Sequence, residues 1–251
     1  MCLQVILQNQ ARQLLSYKRF IWSNDMFLAV DKPKGISSFD VIRILKRQFP
    51  KKTKIGHSGT LDPMATGLLI VAVDKDTKRL WEFLWADKTY IATIDLSKKS
   101  DTRDAEYRET YEELDPTKLT IPTLEQIQTI LNTLIPSASL PLPPFSAKKI
   151  NGQKRYDLAR KGEQEIVRQD MKINSYTILD YSFPEIKIQI DVWSGTYIRS
   201  IAYRLGTQLH TGGILTQLQR TQIKGIQLTK GTKQKDGLCY SIIEVPETQS
   251  K

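Results

Sequence analysis

Residues 56–67 read Gly56-His57-Ser58-Gly59-Thr60-Leu61-Asp62-Pro63-Met64-Ala65-Thr66-Gly67, and an apolar run, residues 68–73, follows directly. The proline after Asp62 disfavours a helical backbone at the aspartate, so the carboxylate does not belong to a helix face. The glycines permit positive backbone dihedral angles or the close approach of another segment. The stretch predicts an aspartate presented on a tight loop before a buried strand. For an isolated Asp-Pro pair, the alternative is an Asx turn that caps the strand.

Further motifs lie on both sides of this loop. They are Val30-Asp31-Lys32-Pro33-Lys34-Gly35-Ile36-Ser37-Ser38, Lys88-Thr89-Tyr90, Leu142-Pro143-Pro144-Phe145-Ser146-Ala147-Lys148-Lys149 and Ser194-Gly195-Thr196-Tyr197-Ile198-Arg199-Ser200. In order and spacing, these motifs and the Asp62 loop resemble the TruB family of tRNA pseudouridine synthases over residues 25–221. The chain departs from the family pattern at positions where the family has glycine or another small residue, namely Asp74, Asp76, Ser97 and Tyr107. None of these departures replaces a side chain that the chemistry of the family requires.

The resemblance implies an α+β pseudouridine synthase fold, with a mixed, mostly antiparallel central sheet, flanking helices and an RNA-binding thumb insertion at about residues 142–170. It divides the chain into an N-terminal extension, residues 1–24, a catalytic domain, residues 25–225, and a short C-terminal tail, residues 226–251. The Leu, Ile and Trp content of the extension predicts that it docks on the body. Members of the family usually end in a further RNA-binding domain, the PUA domain. The tail here is too short for an independent domain of that kind, so the resemblance implies a form without a full PUA domain.

Hydrophobic spacing predicts the main local elements. The predicted strands cover residues 26–30, 68–73, 89–96 and 186–192, and the predicted helices cover residues 38–49, 123–134, 155–161 and 198–209. Thr123 is the expected N-cap of its helix. The last helix has one apolar stripe, which leaves Arg199 off that stripe.

The chain is strongly basic, with 37 Lys and Arg residues against 27 Asp and Glu residues, or a net charge of +10. Such a charge indicates a polyanionic or anionic partner without choosing between RNA, DNA and lipid. Two segments without acidic residues, 41–61 and 192–235, contain many of the cations. They fit a phosphate-backbone contact surface, and the alternative is a solvated helix face.

The two cysteines, Cys2 and Cys239, have no disulfide or metal-site spacing, so a reducing cytoplasm is the expected compartment. The apolar start of the chain lacks the basic region of a signal peptide, and no run reaches the length of a membrane span. No metal and no cofactor are expected, because the sequence has no dinucleotide fingerprint, phosphate-binding loop or metal-ligand cluster.

The resemblance implies a catalytic role for Asp62, Tyr90 and Arg199. A carboxylate can act as covalent nucleophile if it stays ionised, and Asp62 is the candidate. Arg199 takes the family position of a cation whose guanidinium binds both oxygens, and its alternative role is a phosphate contact. Tyr90 corresponds to a tyrosine that stacks on the target base and helps to remove the C5 proton. Its alternative is an ordinary strand tyrosine.

Six further residues are implied to bind the substrate. His57 would fill the stack that the flipped base vacates, and Lys32 would brace the catalytic loop. Tyr197 and Leu218 correspond to pocket-lining positions, and Lys148 and Lys149 belong to the thumb. Base flipping is required because a base stacked in an RNA arm cannot be reached.

The resulting hypothesis is a monomeric, stand-alone tRNA pseudouridine synthase that modifies uridine 55 in the T arm, with no obligatory protein partner and no membrane association. One alternative is the RNA-guided branch of the superfamily, which works in a ribonucleoprotein. The other is an RNA-binding or RNA-folding protein whose activity has lapsed. The residues leave open whether Asp62 attacks C6 of the base or the anomeric carbon.

Overall fold

A computed structural model describes the chain over residues 26–105, 111–146, 149–150, 153–154, 166–227 and 233–246. The predicted N-terminal extension, the helix predicted at residues 155–161 and Lys148 lie outside these ranges. Lys149 belongs to a short strand, but its side chain is outside the description.

Fifteen strands occur in the described ranges. In chain order they are β1 Met26–Lys32, β2 Ile55–His57, β3 Thr66–Val73, β4 Lys88–Asp95, β5 Lys98–Ser100, β6 Tyr111–Glu113, β7 Ser137–Pro141, β8 Lys149–Ile150, β9 Gln153–Lys154, β10 Arg168–Ser182, β11 Glu185–Val192, β12 Ile214–Ile223, β13 Ile226–Gln227, β14 Lys233–Lys235 and β15 Leu238–Ile243. The described helices are α1 Ser38–Lys46, α2 Trp81–Leu84, α3 Leu124–Asn132 and α4 Ile198–Leu209, with short 3₁₀ helices at Asp74–Arg79 and Pro116–Lys118.

Most strands form one central sheet in the order β14-β15-β1-β3-β12-β4-β11-β10-β7. The pairing of β12 with β3 is parallel, whereas the other pairs along this order are antiparallel. β2 pairs with β3 and β13 pairs with β12, while β5-β6 and β8-β9 form separate two-stranded sheets. The predicted α+β architecture with a mixed, mostly antiparallel sheet is therefore confirmed.

Capping side chains explain where two of the helices begin. The Ser37 hydroxyl accepts a bond from the Asp40 backbone N–H, while the Asp40 carboxylate accepts one from the Ser37 backbone N–H, which forms a capping box before α1. Thr123 and Gln126 form the same arrangement before α3, as the predicted Thr123 N-cap requires. Such a cap is worth about 1 kcal/mol. The helix predicted through residue 49 ends at Lys46, one turn early.

The core has three parts around the sheet. The largest lies between β4, β10, β11 and β12 on one side and helices α3 and α4 on the other. A second part packs α1 against β1, β3 and β15, and a third packs Phe83 of α2 against the opposite face of β1 and β3. The loop that carries Asp62 contributes Leu61, Met64 and Ala65 to the largest part, so the aspartate lies at the edge of that core.

Part of the predicted C-terminal tail belongs to the central sheet. β15 pairs with β1 in a register that sets Phe27 opposite Ile243 and Asp31 opposite Cys239. Leu238 is buried in the second part of the core. The sheet therefore extends beyond the boundary that the sequence placed at residue 225.

No helix within the described ranges combines the length and the apolar character needed to cross a membrane.

Candidate active site

The loop that carries Asp62 is held by the stretch between β1 and α1. The Ser38 hydroxyl accepts a bond from the Leu61 backbone N–H at 2.9 Å and lies 3.2 Å from the Leu61 carbonyl. The Gly35 N–H donates to the Pro63 carbonyl at 2.8 Å. The two segments are joined on both sides of the aspartate, which limits its movement.

Lys32 adds a buried anchor under the same loop. Its side chain is fully buried, and its ammonium donates to the carbonyls of Pro63 at 3.2 Å and Ala65 at 2.6 Å. A third bond reaches the carbonyl of Pro33. Lys32 therefore contacts the loop that it was expected to brace, and its burial places it beneath the loop.

Gly67 is the position where the loop requires glycine. Its φ is +99°, and a Cβ built there would lie 2.3 Å from the backbone oxygen of Arg220 on β12. This close approach coincides with the parallel pairing of β3 and β12, in which Gly67 stands opposite Arg220. Any side chain at position 67 would separate the two strands.

The Asp62 carboxylate binds Arg199 through both oxygens. Nε of Arg199 lies 3.0 Å from Oδ2, and Nη2 donates to Oδ1 at 3.1 Å. The side chain of Arg199 is 6% exposed, whereas that of Asp62 is 32% exposed. The arginine is thus enclosed by protein, while the carboxylate is open to an approaching molecule. Both oxygens engage a guanidinium, which favours the ion-pair interpretation over the Asx turn.

Arg199 also contacts a second carboxylate that the sequence analysis gave no role. Its Nη1 lies 3.2 Å from Oδ2 of Asp104, which is 3% exposed, and donates to the Thr102 carbonyl at 3.1 Å. Nη2 also donates to the Phe145 carbonyl at 2.9 Å. The guanidinium is therefore fixed by several partners rather than by Asp62 alone. Asp104 lies in the stretch Ser100-Asp101-Thr102-Arg103-Asp104-Ala105, where no local sequence feature marks it as a partner of Arg199.

Tyr90, Leu218 and Tyr197 belong to, or pack against, the largest part of the core, to which the Asp62 loop also contributes. Tyr90 on β4 is 8% exposed and Leu218 on β12 is 7% exposed, and both belong to the core that contains Leu61 and Met64. Tyr197 is the N-cap residue of α4, two positions before Arg199, and packs against the same core. All three side chains therefore share one apolar core with Leu61 and Met64, which adjoin Asp62 in the loop.

His57 lies at the end of β2, with its Nδ1 buried and without a hydrogen-bond partner among the described residues. Burial lowers the pKa of His57 below its ordinary value of 6.5, and the nearby positive charge of Arg220 lowers it further. The neutral imidazole is therefore the favoured form near pH 7.

Two further buried cations, Arg220 and Lys88, lie beside the loop. Arg220 is 1% exposed, and its Nε donates to the Leu68 carbonyl at 2.8 Å while Nη2 donates to the Gly59 carbonyl at 3.2 Å. The Lys88 ammonium donates to three carbonyls, the nearest being that of Ala86 at 2.7 Å. Burial, with the Arg220 charge as a smaller cause, lowers the pKa of Lys88 to about 8.

Part of the second acid-free segment, residues 192–235, is not available to a phosphate backbone. Among its described cations, Arg199 and Arg220 are buried, and Lys224 lies 3.3 Å from Glu82. By contrast, the cations of the first segment are all exposed, namely Arg43, Lys46, Arg47, Lys51, Lys52 and Lys54. Arg43 and Lys46 lie in the last turn of α1, and the other four cations lie between α1 and the strand that contains His57, β2.

Among the described residues, no cluster of three His, Cys, Asp or Glu side chains has the geometry of a metal site.

Solved structures share this fold at low sequence identity. A chain of a Cbf5-Nop10-Gar1 complex superimposes with a TM-score of 0.60 at 23% identity, and 80% of the present chain is covered. A chain of an H/ACA RNP bound to a substrate RNA containing 2'-deoxyuridine gives a TM-score of 0.58 at 22% identity and 82% coverage. The present chain spans 49%, or about half, of each of those chains. The class of fold is that of the pseudouridine synthases.

Closer sequence relatives narrow the class. The family model of TruB family pseudouridylate synthases (N-terminal domain) matches residues 46–198. A tRNA pseudouridine synthase B of Bacteroides fragilis is 39% identical over 208 residues, covering 80% of this chain and 87% of the relative. That of Protochlamydia amoebophila is 43% identical, covering 78% and 72% respectively. That of Phocaeicola vulgatus is 37% identical, covering 88% and 91%. The chain belongs to the TruB family of pseudouridylate synthases.

Proposed function

We propose that this protein is a tRNA pseudouridine synthase that isomerises uridine 55 of the T arm, with Asp62 as the covalent nucleophile. The observation that carries the proposal is the asymmetric exposure of the ion pair, with an enclosed arginine and an open carboxylate. The relatives named tRNA pseudouridine synthase B support the choice of tRNA.

The reaction breaks the bond between C1′ of the ribose and N1 of the base, and then joins C1′ to C5. The proton on C5 leaves and N1 gains a proton, so the isomerisation needs no redox or group-carrying cofactor. Arg199 contacts both oxygens of the Asp62 carboxylate, so it holds the carboxylate in one orientation and compensates its charge. Attack at C6 and attack at C1′ both fit this role.

The buried surroundings suit a base that has left its stack. Tyr90 and Leu218 offer apolar contacts to a uracil ring, and Tyr90 is the group proposed to help remove the C5 proton. Extrusion of a base costs a few kcal/mol, which a residue that fills the gap can offset. His57 is proposed for that role, and its lowered pKa favours the uncharged ring that can stack between bases.

The exposed cations between Arg43 and Lys54 are proposed to contact the tRNA backbone, together with Lys148 and Lys149. Each neutralised phosphate contributes about 0.9 to the slope of log affinity against log salt concentration for duplex-like nucleic acid. Replacing both Lys51 and Lys52 with Gln should therefore reduce the slope by about 2. An unchanged slope would remove these two lysines from the contact surface.

We further propose that the enzyme acts in the cytoplasm as a monomer without a guide RNA or protein partner. The test is pseudouridine mapping by nucleotide in an unmodified tRNA transcript, with purified protein and with its Asp62→Asn variant. Wild type alone should modify position 55, and Asp62→Asn should retain tRNA binding within a few-fold, because no phosphate contact is lost. The matched control is Asp180→Asn, the same change at an exposed position of β10, which should leave the rate unchanged.

The alternatives predict different results. A guided enzyme would modify the transcript only after a guide RNA is added. An RNA-binding protein would bind the transcript as both wild type and Asp62→Asn without modifying it. Equal loss of binding and activity in Asp62→Asn would contradict the nucleophile assignment.

A further inference from the structure

Arg103 lies in the loop after β5, with an unusual backbone conformation and a buried side chain. Its φ is +63°, in the left-handed region that residues other than glycine seldom adopt, and the residue is 8% exposed. A residue keeps such a conformation when its surroundings hold it there, and such residues concentrate at functional sites. The two residues beside it, Thr102 and Asp104, contact Nη1 of Arg199 through a carbonyl and a carboxylate. Arg103 thus joins two of the groups that hold the Arg199 guanidinium.

The Arg103 side chain reaches the helix that carries Arg199. Its guanidinium carbon lies 4.1 Å from the ring centroid of Tyr203, which is a cation–π contact. Tyr203 follows Arg199 by four positions on α4, so these two residues are neighbours on the helix surface. The Arg103 carbonyl accepts a hydrogen bond from the Leu215 N–H at 3.1 Å. Arg103 therefore connects its loop to α4 through the side chain and to β12 through the backbone.

The carbonyl of Pro141, at the end of β7, is a second point of attachment. It accepts one hydrogen bond from Nη1 of Arg103 and one from Oγ of the buried Ser200, each at 2.7 Å. Four residues later, the Phe145 carbonyl accepts a bond from Nη2 of Arg199 at 2.9 Å. The Arg103 loop, the first turn of α4 and the segment that begins at Pro141 therefore surround one guanidinium. Arg103 contacts both of the other segments.

We propose that Arg103 is a positioning residue for the Asp62–Arg199 pair, an inference that rests on the proposed role of Asp62 as nucleophile. Thr102 and Asp104 engage Nη1 of Arg199, while Nε and Nη2 contact the two Asp62 oxygens. Arg103 keeps the Thr102 carbonyl and the Asp104 carboxylate in place, and through them it fixes the angle at which the guanidinium meets Asp62. A displacement of about 1 Å at a reacting group can reduce a rate by about a hundredfold, so this indirect control affects turnover.

The burial of Arg103 separates this role from RNA binding. A buried guanidinium that donates to a backbone carbonyl and lies over an aromatic ring offers little surface to a phosphate. Loss of the Arg103 side chain should therefore slow the step after RNA has bound and leave the affinity unchanged. A purely structural role would instead lower the free energy of unfolding and leave the rate of the folded protein unchanged.

The test compares Arg103→Met, which removes the donor and the charge, with Arg103→Lys, which retains a cation able to donate to the Pro141 carbonyl. Single-turnover pseudouridine formation at saturating protein should fall about thirtyfold in Arg103→Met and recover to within about fivefold of wild type in Arg103→Lys. The dissociation constant for tRNA should stay within about twofold in both variants, because no phosphate contact is lost. A rate for Arg103→Met within about threefold of wild type would overturn the proposal.

The matched control is Arg79→Met. Arg79 also donates to a backbone carbonyl, that of Pro246 at 2.6 Å, and its guanidinium lies 5.2 Å from the ring centroid of Phe27. Phe27 belongs to the third part of the core, to which the Asp62 loop does not contribute. Arg79→Met should lower the free energy of unfolding in urea without changing the rate of the folded protein. If it slows the reaction as much as Arg103→Met does, the effect is a general loss of packing and the proposal is wrong.

A milder pair of variants keeps the test decisive if Arg103→Met does not fold. Tyr203 is 40% exposed, so its replacement is tolerated more easily than a change at Arg103. Tyr203→Leu removes the ring that lies against Arg103 and should lower the single-turnover rate about fivefold, whereas Tyr203→Phe keeps the ring face and should retain the wild-type rate. Equal rates in the two Tyr203 variants would contradict the proposal.

A further measurement does not depend on catalysis. The Nε–H proton of Arg199, assigned in NMR spectra by its absence in Arg199→Lys, should exchange with water about tenfold faster in Arg103→Met, because weaker contacts let the guanidinium open to solvent more often. An unchanged exchange rate would overturn the positioning role. If wild type forms no pseudouridine but the exchange rate rises in Arg103→Met, the proposed function fails and the control of Arg199 by Arg103 is supported. If wild type is active and neither rate changes, this inference alone fails.

Discussion

Arg199 and Arg220 are both almost fully buried, and both contact the region of the Asp62 loop, yet their partners differ in kind. Arg199 binds two carboxylates, those of Asp62 and Asp104. The hydrogen bonds of Arg220 go to the backbone oxygens of Leu68 and Gly59. Burial and residue type therefore do not reveal what an arginine does. The charge of the groups that each arginine contacts distinguishes the two roles.

The difference also appears in the neighbouring groups. The Arg199 charge is compensated at short range by carboxylates. By contrast, burial lowers the pKa of Lys88 and of His57, and the Arg220 charge lowers each further. One arginine is an electrostatic partner of the proposed nucleophile. The other anchors the backbone at both ends of the loop and makes its surroundings more positive.

Replacing Arg199 with Lys should produce the largest effect on turnover. Lysine keeps the charge but cannot contact both Asp62 oxygens and Asp104 at once. We expect the single-turnover rate of pseudouridine formation to fall by about a hundredfold to a thousandfold, which corresponds to the roughly 3 to 4 kcal/mol expected for a disrupted buried charge pair. Affinity for tRNA should stay within a few-fold. A rate within threefold of wild type would contradict the role of the two-oxygen contact.

Replacing Arg220 with Met should affect stability more than chemistry. The carbonyls of Leu68 and Gly59 lose charged donors, each worth about 1.5 to 3 kcal/mol, while the relief of cation repulsion with Lys88 offsets part of the loss. We expect the free energy of unfolding in urea to fall by about 2 to 4 kcal/mol. The rate per folded molecule should fall less than in Arg199→Lys. A stable but inactive Arg220→Met protein would contradict the assignment of a structural role to Arg220.

The buried Lys88 ammonium should make stability depend on pH in a defined window. Its folded pKa of about 8 lies below the ordinary value of 10.5, so between these values the unfolded chain binds more protons. The contribution of Lys88 to stability should therefore rise as pH increases from 8 toward 10.5. Urea unfolding at pH 8 and pH 9.5 measures it as the difference between wild type and Lys88→Met. In Arg220→Met the pH range over which the Lys88 contribution changes should narrow, because one cause of the lowered Lys88 pKa is removed. If the stability difference between wild type and Lys88→Met decreases as the pH rises, the predicted direction is wrong.

The smallest effect is expected at His57. The chain has 2 histidines, and His210 is exposed, so their imidazole signals can be assigned by comparison with His57→Gln. In an NMR titration His57 should titrate below 6.5, and its pKa should rise in Arg220→Met. Because the folded pKa is lowered, the contribution of His57 to stability is present above pH 6.5 and decreases as pH falls toward the folded pKa. Identical His57 pKa values in both proteins would show that Arg220 is not a significant cause.

Much of the local structure could be predicted because its causes are local. The pattern of apolar residues located the helix that carries Arg199, with bounds that match α4. A Thr side chain located the start of α3. By contrast, β12 was not predicted, although it lies between β3 and β4 in the sheet. It contains Arg220, and a buried arginine in a central strand is stable only when carbonyls such as those of Gly59 and of Leu68 in β3 accept its hydrogen bonds.

The N-cap residues, the conformational limits at Asp62-Pro63 and the requirement for glycine near the loop were determined by the sequence itself, because backbone sterics and capping bonds act over a few residues. Only the tertiary structure decided which charges meet. Asp62 and Arg199 are 137 positions apart in the chain, and Asp104 reaches the same guanidinium from another loop. The burial of Arg220 likewise depends on the parallel pairing of β3 with β12. Electrostatic energy depends on distance and surroundings in space, which the order of residues alone does not specify.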